Sequence, residues 1–107
     1  FQSLILPSES KRFLIELSKL LKNVSGQIIV EGHTDNIPVR KNNRIASNWE
    51  FSALRAAKVI RFLETQGVSS KRFVLNGFSK NLPVANNNTI QGRKKNRRIV
   101  IKVRMNK

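Results

Sequence analysis

The sequence has no cysteine, a single histidine and only six acidic residues in 107 positions. Without cysteine there is neither a disulfide nor a thiolate metal site, and a zero count fits many compartments, so it assigns none. One imidazole falls short of the nitrogen- and sulfur-rich ligand sets that zinc prefers. No apolar run approaches the roughly 18 residues that a membrane-spanning helix needs. The chain opens FQSLILPSES, with no initiator Met, basic leader or cleavage motif, so no secretory signal is legible. That opening leads to the expectation of a piece of a longer protein, with any anchor or export signal upstream.

What the sequence has in excess is positive charge: 21 Lys and Arg, for a net +15. The excess is lopsided. Residues 1–53 hold seven Lys/Arg against five Asp/Glu, a net of +2, whereas residues 54–107 hold fourteen against Glu64 alone, a net of +13. A half this basic attracts polyanions, whether nucleic acid, acidic lipid head groups or anionic cell-wall polymers. The plainer alternative is a basic surface that serves only solubility. The length and the 39% apolar content fit one soluble globular domain over residues 1–107.

Pro7 followed by Ser8 and Ser10 reads as a helix start. Phe13, Leu14, Leu17, Leu20, Leu21 and Val24 then recur at three- and four-residue spacing, which predicts an amphipathic helix ending near Asn23–Gly26, with Gly26 as a left-handed cap. QIIVEG reads as a short buried strand. NIPVRKNNRIA is a loop, and Ser47 with Glu50 forms a capping box opening a second helix whose core stripe is Trp49, Ala53, Ala56, Ile60 and Leu63. That helix ends near Gln66–Gly67. KRFVLNG is a strand candidate, NLPVANNNTIQGRKKN a polar loop with one helical turn from Thr89, and RRIVIKVRM an alternating final strand. SLIL near the start reads as the remnant of a first strand. The order is (β)αβαββ. Strands separated by helices pair in parallel, while the last two, lacking a helix between them, can pair antiparallel. The predicted fold is α+β, a two-layer α/β sandwich with one mixed sheet and helices on one face.

The most unusual stretch is EGHTDN, residues 31–36, where Glu31, His33 and Asp35 gather at a strand end. A metal site there lacks a second histidine. A catalytic site lacks an activated nucleophile, since Ser47 and Glu50 are explained by capping. The plainer reading of His33 is a local hydrogen bond that shapes the loop. A docking site for a charged ligand is better supported. Asp35 follows a strand's C-terminal end, where open α/β sheets present ligand sites, and Arg55 lies two turns into the next helix. One carboxylate and one guanidinium at close quarters suit a zwitterion: Asp35 takes an ammonium and Arg55 a carboxylate. A structural Asp35–Arg55 salt bridge explains the same spacing equally well.

VEGHTDN, then SNWEFSALRAAKVIRFLETQGV, then NGFSKNLPVANNNTIQGRKKNRRIVI resemble the OmpA-like peptidoglycan-binding domain over residues 8–104. EGHTDNIP with SNWEFSALRA, and the long loop over residues 37–46, are most similar to the flagellar-stator branch of that family, the MotB type. The resemblance implies a non-catalytic periplasmic domain of an inner-membrane protein, with no cofactor and no metal, that holds peptidoglycan and tethers the motor stator to the cell wall. It implies that Asp35 and Arg55 hold the diaminopimelate of the stem peptide, a residue carrying a free ammonium and carboxylate on one carbon. It further implies that Thr34, Asn36, Phe51, Ser52, Asn96 and Arg97 line the groove. Stator-type members are dimers and join the partner MotA through upstream segments, so a homodimer is expected.

Two departures stand out. NGFSK carries Ser79 and Lys80 where the family often has an acidic residue, and the C-terminal half is more basic than the family pattern. Two rivals follow. One keeps the ligand but changes the owner, an outer-membrane anchor of OmpA or Pal type. The other is a nucleic-acid-binding module built on the basic half. Against it, the six Phe and one Trp fall largely at predicted core positions, with no stacking platform among the cations, so no specific nucleic-acid partner is expected.

Overall fold

Pro7 occupies the N-cap of the first helix, α1 (Ser8–Lys22), in extended conformation. Its missing N–H is of no consequence at a helix start, where the first N–H groups lack intrahelical partners in any case. A computed structural model describes residues 6–41 and 45–105. Glu9 in the first turn of α1 and Lys19 and Lys22 in the last both complement the helix dipole. The buried row is Leu14, Ser18 and Leu21, narrower than the apolar stripe in the sequence. Phe13 and Leu20 are 64% and 65% exposed, because they form the neighbouring row, turned about 100° away. The helix ends on Asn23, whose N–H reaches Leu20 O, rather than on Gly26. Gly26 has φ +116°, and a Cβ there would fall 2.1 Å from the Arg104 carbonyl oxygen. The glycine therefore serves a close backbone crossing, not a helix cap.

Among the described residues three strands follow: β1 (Gln27–His33), β2 (Phe73–Gly77) and β3 (Arg98–Arg104), arranged β2-β1-β3. β1 and β2 run parallel, joined through the helix α2 (Asn48–Thr65) and a short 3-10 turn over Ser70–Arg72. β3 runs antiparallel to β1, not to β2. The expected pairing of the last two strands is thus corrected: they lie at opposite edges of the central strand. The chain between them, which includes the helix α3 (Ile90–Asn96), carries it from one edge to the other. Thr89 caps α3 by accepting from the Gly92 N–H, and the helix is longer than the single turn foreseen. Residues 1–5 lie outside the described residues, and with them most of the expected first strand. Leu6 belongs to no regular element. The fold is α+β, with three helices and a mixed three-stranded sheet among the described residues.

Register decides the two faces. Ile28, Val30 and Gly32 stand opposite Val103, Ile101 and Ile99, and this face packs on the helices. Leu14 and Leu21 of α1, Ile28 and Val30 of β1, and Ala56, Val59 and Leu63 of α2 form the buried core. The other face carries Ile29, Glu31 and His33 beside Lys102, Val100 and Arg98.

Ser47 opens α2 as expected, accepting from the Trp49 N–H and donating its hydroxyl to the Glu50 carboxylate. The buried face of α2 differs from the expected stripe. Phe51, Ser52, Ala56, Val59 and Leu63 are buried, while Trp49 is 54% exposed. The cause lies in the sheet. A Cβ on Gly32 would meet the Ser52 carbonyl oxygen at 1.9 Å, so the helix backbone rests on that glycine. The contact row then runs 52–56–59–63, and Trp49 turns outward.

Candidate functional site

β1 ends at His33, and the next residues are tied down from several directions. The Thr34 N–H donates to Ser79 O at 2.9 Å, and the Phe78 N–H to Gly32 O at 3.0 Å. Ser79 adopts φ +56°, in the left-handed region. Its N–H donates to Ser52 Oγ at 3.0 Å, and Ser52 in turn donates to Trp49 O. The Thr34 hydroxyl donates to Asp35 O at 2.8 Å. The turn after β2 and the first turn of α2 thereby lock the exit of β1.

Asp35 is 2% exposed. Its Oδ1 accepts from the Ile37 N–H at 3.0 Å, an Asx turn. Its Oδ2 accepts from Arg97 Nη1 at 2.8 Å, an ion pair whose Arg side chain is 31% exposed. Arg55, half-buried on α2, donates from Nη1 to the His33 carbonyl at 3.1 Å and lies 5.9 Å from the Phe51 ring centre. Burial, followed by the charge of Arg97, lowers its pKa below the ordinary guanidinium value. The charge of Arg97 thus lies close enough to be felt at Arg55. Arg55 and Arg97 also line a cleft of about 680 Å³, which opens between α1, α2 and β3 and to which Lys58, Lys94 and Glu9 contribute.

The remaining expected residues divide into two groups. Asn36 is exposed on the loop. Phe51, Ser52, Thr34 and Asn96 are buried. The Asn96 amide makes four hydrogen bonds, accepting from the Val84 and Ala85 N–H groups and donating to Ala85 O and Asn87 Oδ1. It secures the polar loop that precedes α3, while Ser52 and Thr34 hold the turn at Ser79 against the exit of β1. Arg97, not Arg98, turns toward Asp35. Arg98 donates to Leu82 O and Asn96 O.

One positioning residue escaped sequence reasoning. Asn48, 8% exposed, accepts from the Val39 N–H at 3.0 Å and donates to Asp35 O and Ile37 O at 3.3 and 3.2 Å. It pins the Asp35 loop to the start of α2. Its only signal was an Asn in a helix's first turn, which reads as part of a cap.

Glu31 and His33 are buried on the sheet face opposite the helices, separate from Asp35, which lies beyond the strand. His33 Nε2 meets Glu31 Oε1 at 3.2 Å, Lys102 meets Glu31 Oε2 at 3.0 Å, and the Phe78 ring stacks on the imidazole at 5.0 Å. Burial opposes ionisation of Glu31, but the hydrogen bonds from Lys102 and His33 prevail and its pKa lies below the ordinary carboxylate value. Burial lowers the pKa of His33, with Arg98 and Lys102 adding to the effect and Glu31 opposing it. Among the described residues, no three His, Asp or Glu side chains converge as metal ligands would.

Residues 1–97 match the OmpA family. The chain is 42% identical over 88 residues to Motility protein B of Bacillus subtilis, spanning 80% of this chain but 33% of that protein. It is 33% identical over 102 residues to the Peptidoglycan-associated lipoprotein of Pseudomonas aeruginosa, spanning 95% of this chain and 58% of that one. It superposes on the crystal structure of the C-terminal domain of Helicobacter pylori MotB with a TM-score of 0.90 at 25% identity, covering 100% of this chain and 84% of that one. The chain thus corresponds to only part of its full-length relatives, and it belongs to the OmpA family.

Proposed function

We propose that this OmpA-family domain binds peptidoglycan without catalysis, holding the diaminopimelate of a stem peptide, and that it anchors a flagellar stator to the cell wall. The observation that supports this reading is the buried Asp35 carboxylate, 2.8 Å from Arg97, which lines a cleft together with a second guanidinium, Arg55. Before a ligand arrives, Arg97 neutralises Asp35. A carbon bearing both an ammonium and a carboxylate replaces that one ion pair with two. Its ammonium goes to Asp35, and its carboxylate to Arg55 and the displaced Arg97. Charge-assisted hydrogen bonds on both sides fix the orientation, and Arg97 is exposed enough to swing. An anchor under load needs such a reversible, many-copy grip rather than turnover.

The stator role is supported by the similarity to Motility protein B and to the MotB C-terminal domain. On this reading the domain is periplasmic, belongs to an inner-membrane protein, works as a homodimer and joins MotA through segments upstream. A second reading has its own support. The similarity to a Peptidoglycan-associated lipoprotein extends over 95% of the chain, which fits an outer-membrane anchor with the same ligand. The residues preceding Phe1 distinguish the two owners: a single membrane helix for the stator, a lipid-modified Cys or a barrel for the other.

Co-sedimentation with purified sacculi tests the clamp. Asp35→Ala and Arg55→Ala should each remove binding while circular dichroism stays that of the parent, since truncating one partner of a buried charged contact costs about 2–5 kcal/mol of binding. Retention of parent-level binding by both variants overturns the reading. A competition between soluble stem peptide and DNA separates it from non-specific polyanion attraction, which falls steeply with salt.

A further inference from the structure

The cleft that Arg55 and Arg97 line is larger than one amino-acid head group needs, and its charge is unbalanced. Among the described residues four cations line it, Arg55, Lys58, Lys94 and Arg97, against one carboxylate, that of Glu9. Beneath them lies an apolar wall formed by Leu14, Val59, Ile99 and Ile101, of which Leu14 and Val59 are 5% and 3% exposed. Its volume of about 680 Å³ falls within the roughly 300–1,000 Å³ typical of ligand sites.

Arg55 and Arg97 belong both to this cleft and to the surroundings of Asp35. A ligand held at Asp35 therefore continues into the cleft from the guanidinium side. One carboxylate on the held zwitterion leaves Lys58 and Lys94 facing the same space. A second carboxylate, carried next to a small apolar side chain, matches those two ammonium groups and the wall below them.

We propose that the cleft receives the free carboxyl terminus of the same stem peptide, so that the domain selects stems that are not cross-linked. This rests on the peptidoglycan reading above. The selectivity follows from charge. An amide formed at the zwitterion's ammonium removes the group that Asp35 accepts. An amide formed at the terminal carboxylate removes the group that Lys58 and Lys94 attract. Either cross-link deletes one of the charges the site is built to pair, and the unmatched protein charges then disfavour the complex.

Calorimetric titration with three soluble probes tests the proposal: free diaminopimelate, a diaminopimelate-containing stem tetrapeptide with a free carboxyl terminus, and the same tetrapeptide as its C-terminal carboxamide. The parent should bind the carboxylate form about tenfold more tightly than the carboxamide, as a charge-assisted contact at a partly exposed site implies. The exposed-site double variant Lys58→Ala/Lys94→Ala should lose that preference yet bind free diaminopimelate as the parent does. Equal binding of the two tetrapeptides by the parent overturns the cleft proposal, as does a preference that survives in the double variant. If diaminopimelate binds and Asp35→Ala abolishes that binding while the parent holds the two tetrapeptides equally, the clamp stands and the cleft proposal falls. If none of the three probes binds the parent, the clamp and the cleft fall together.

Discussion

Asp35 and Arg97 meet at 2.8 Å across 62 residues of sequence, the carboxylate buried and the guanidinium partly open to solvent. A buried carboxylate held by a cation that can move away is stable without ligand and still accessible to one. An Asp35 paired with a fully enclosed arginine would resist any exchange, because separating two buried charges costs several kcal/mol.

Replacing Arg97 by Ala leaves that carboxylate with the Ile37 N–H at Oδ1 and no cation at Oδ2. Stability should fall by about 1–3 kcal/mol, kept below the fully buried case by the exposure of Arg97. Urea denaturation of Arg97→Ala, Asp35→Asn and the double variant measures it. The double variant should be more stable than the sum of the single losses predicts, because neutralising Asp35 removes the need for a cation.

Asn48→Ala removes three hydrogen bonds to the 35–39 loop and strands buried backbone groups. A loss of about 1–3 kcal/mol is expected. The local signature is faster hydrogen exchange at the Val39 amide, whose partner is the Asn48 side chain. Sacculus binding should weaken with it, since Asp35 loses its positioning. Unchanged exchange at Val39 would show that Asn48 does not hold the loop.

His33 titrates below its ordinary 6.5, chiefly because it is buried, with Arg98 and Lys102 of β3 adding to the effect and Glu31 of β1 opposing it. The unfolded chain thus takes up the proton first. Its contribution to stability is complete above about pH 6.5 and is lost as pH falls toward the lowered folded value. Stability measured by denaturant between pH 7.5 and 5.5 should decline in the parent and decline less in His33→Gln. Glu31, also lowered, acts in a separate window below its ordinary 4.5, so the two effects are separable. Identical slopes for parent and variant in the upper window would remove His33 as the cause.

Much of the fold was legible because its signals are local. The Ser47 cap, the alternation of β3 and the position of Thr89 before α3 all appear where the pattern puts them. The errors were equally physical. Periodicity defined a stripe on α2, but it could not know that Gly32 would admit the helix backbone at Ser52 and so turn Trp49 outward. Phe13 and Leu20 belong to the apolar stripe of the α1 sequence but are exposed in the fold, because they form the row beside the buried one.

At the site, the strand end before Asp35 and the helix carrying Arg55 were legible from local pattern, whereas the ligand role of the two residues came from the family resemblance and is a proposal. Asn96 was expected to line the groove, and the structure shows its amide bonded within the loop before α3. An Asn carries the same letter whether it faces solvent or satisfies buried backbone, and only the partners distinguish the two.

Sequence alone determined which segments become helix or strand, how the charge is divided along the chain and where an acid follows a strand, because each depends on neighbours within a few residues. Only the tertiary structure decided that β3 pairs with β1, that this pairing brings Arg97 to Asp35, and that a cationic cleft opens beside them. Those outcomes depend on strand register and helix docking, in which residues far apart in sequence become neighbours through packing that no local pattern encodes.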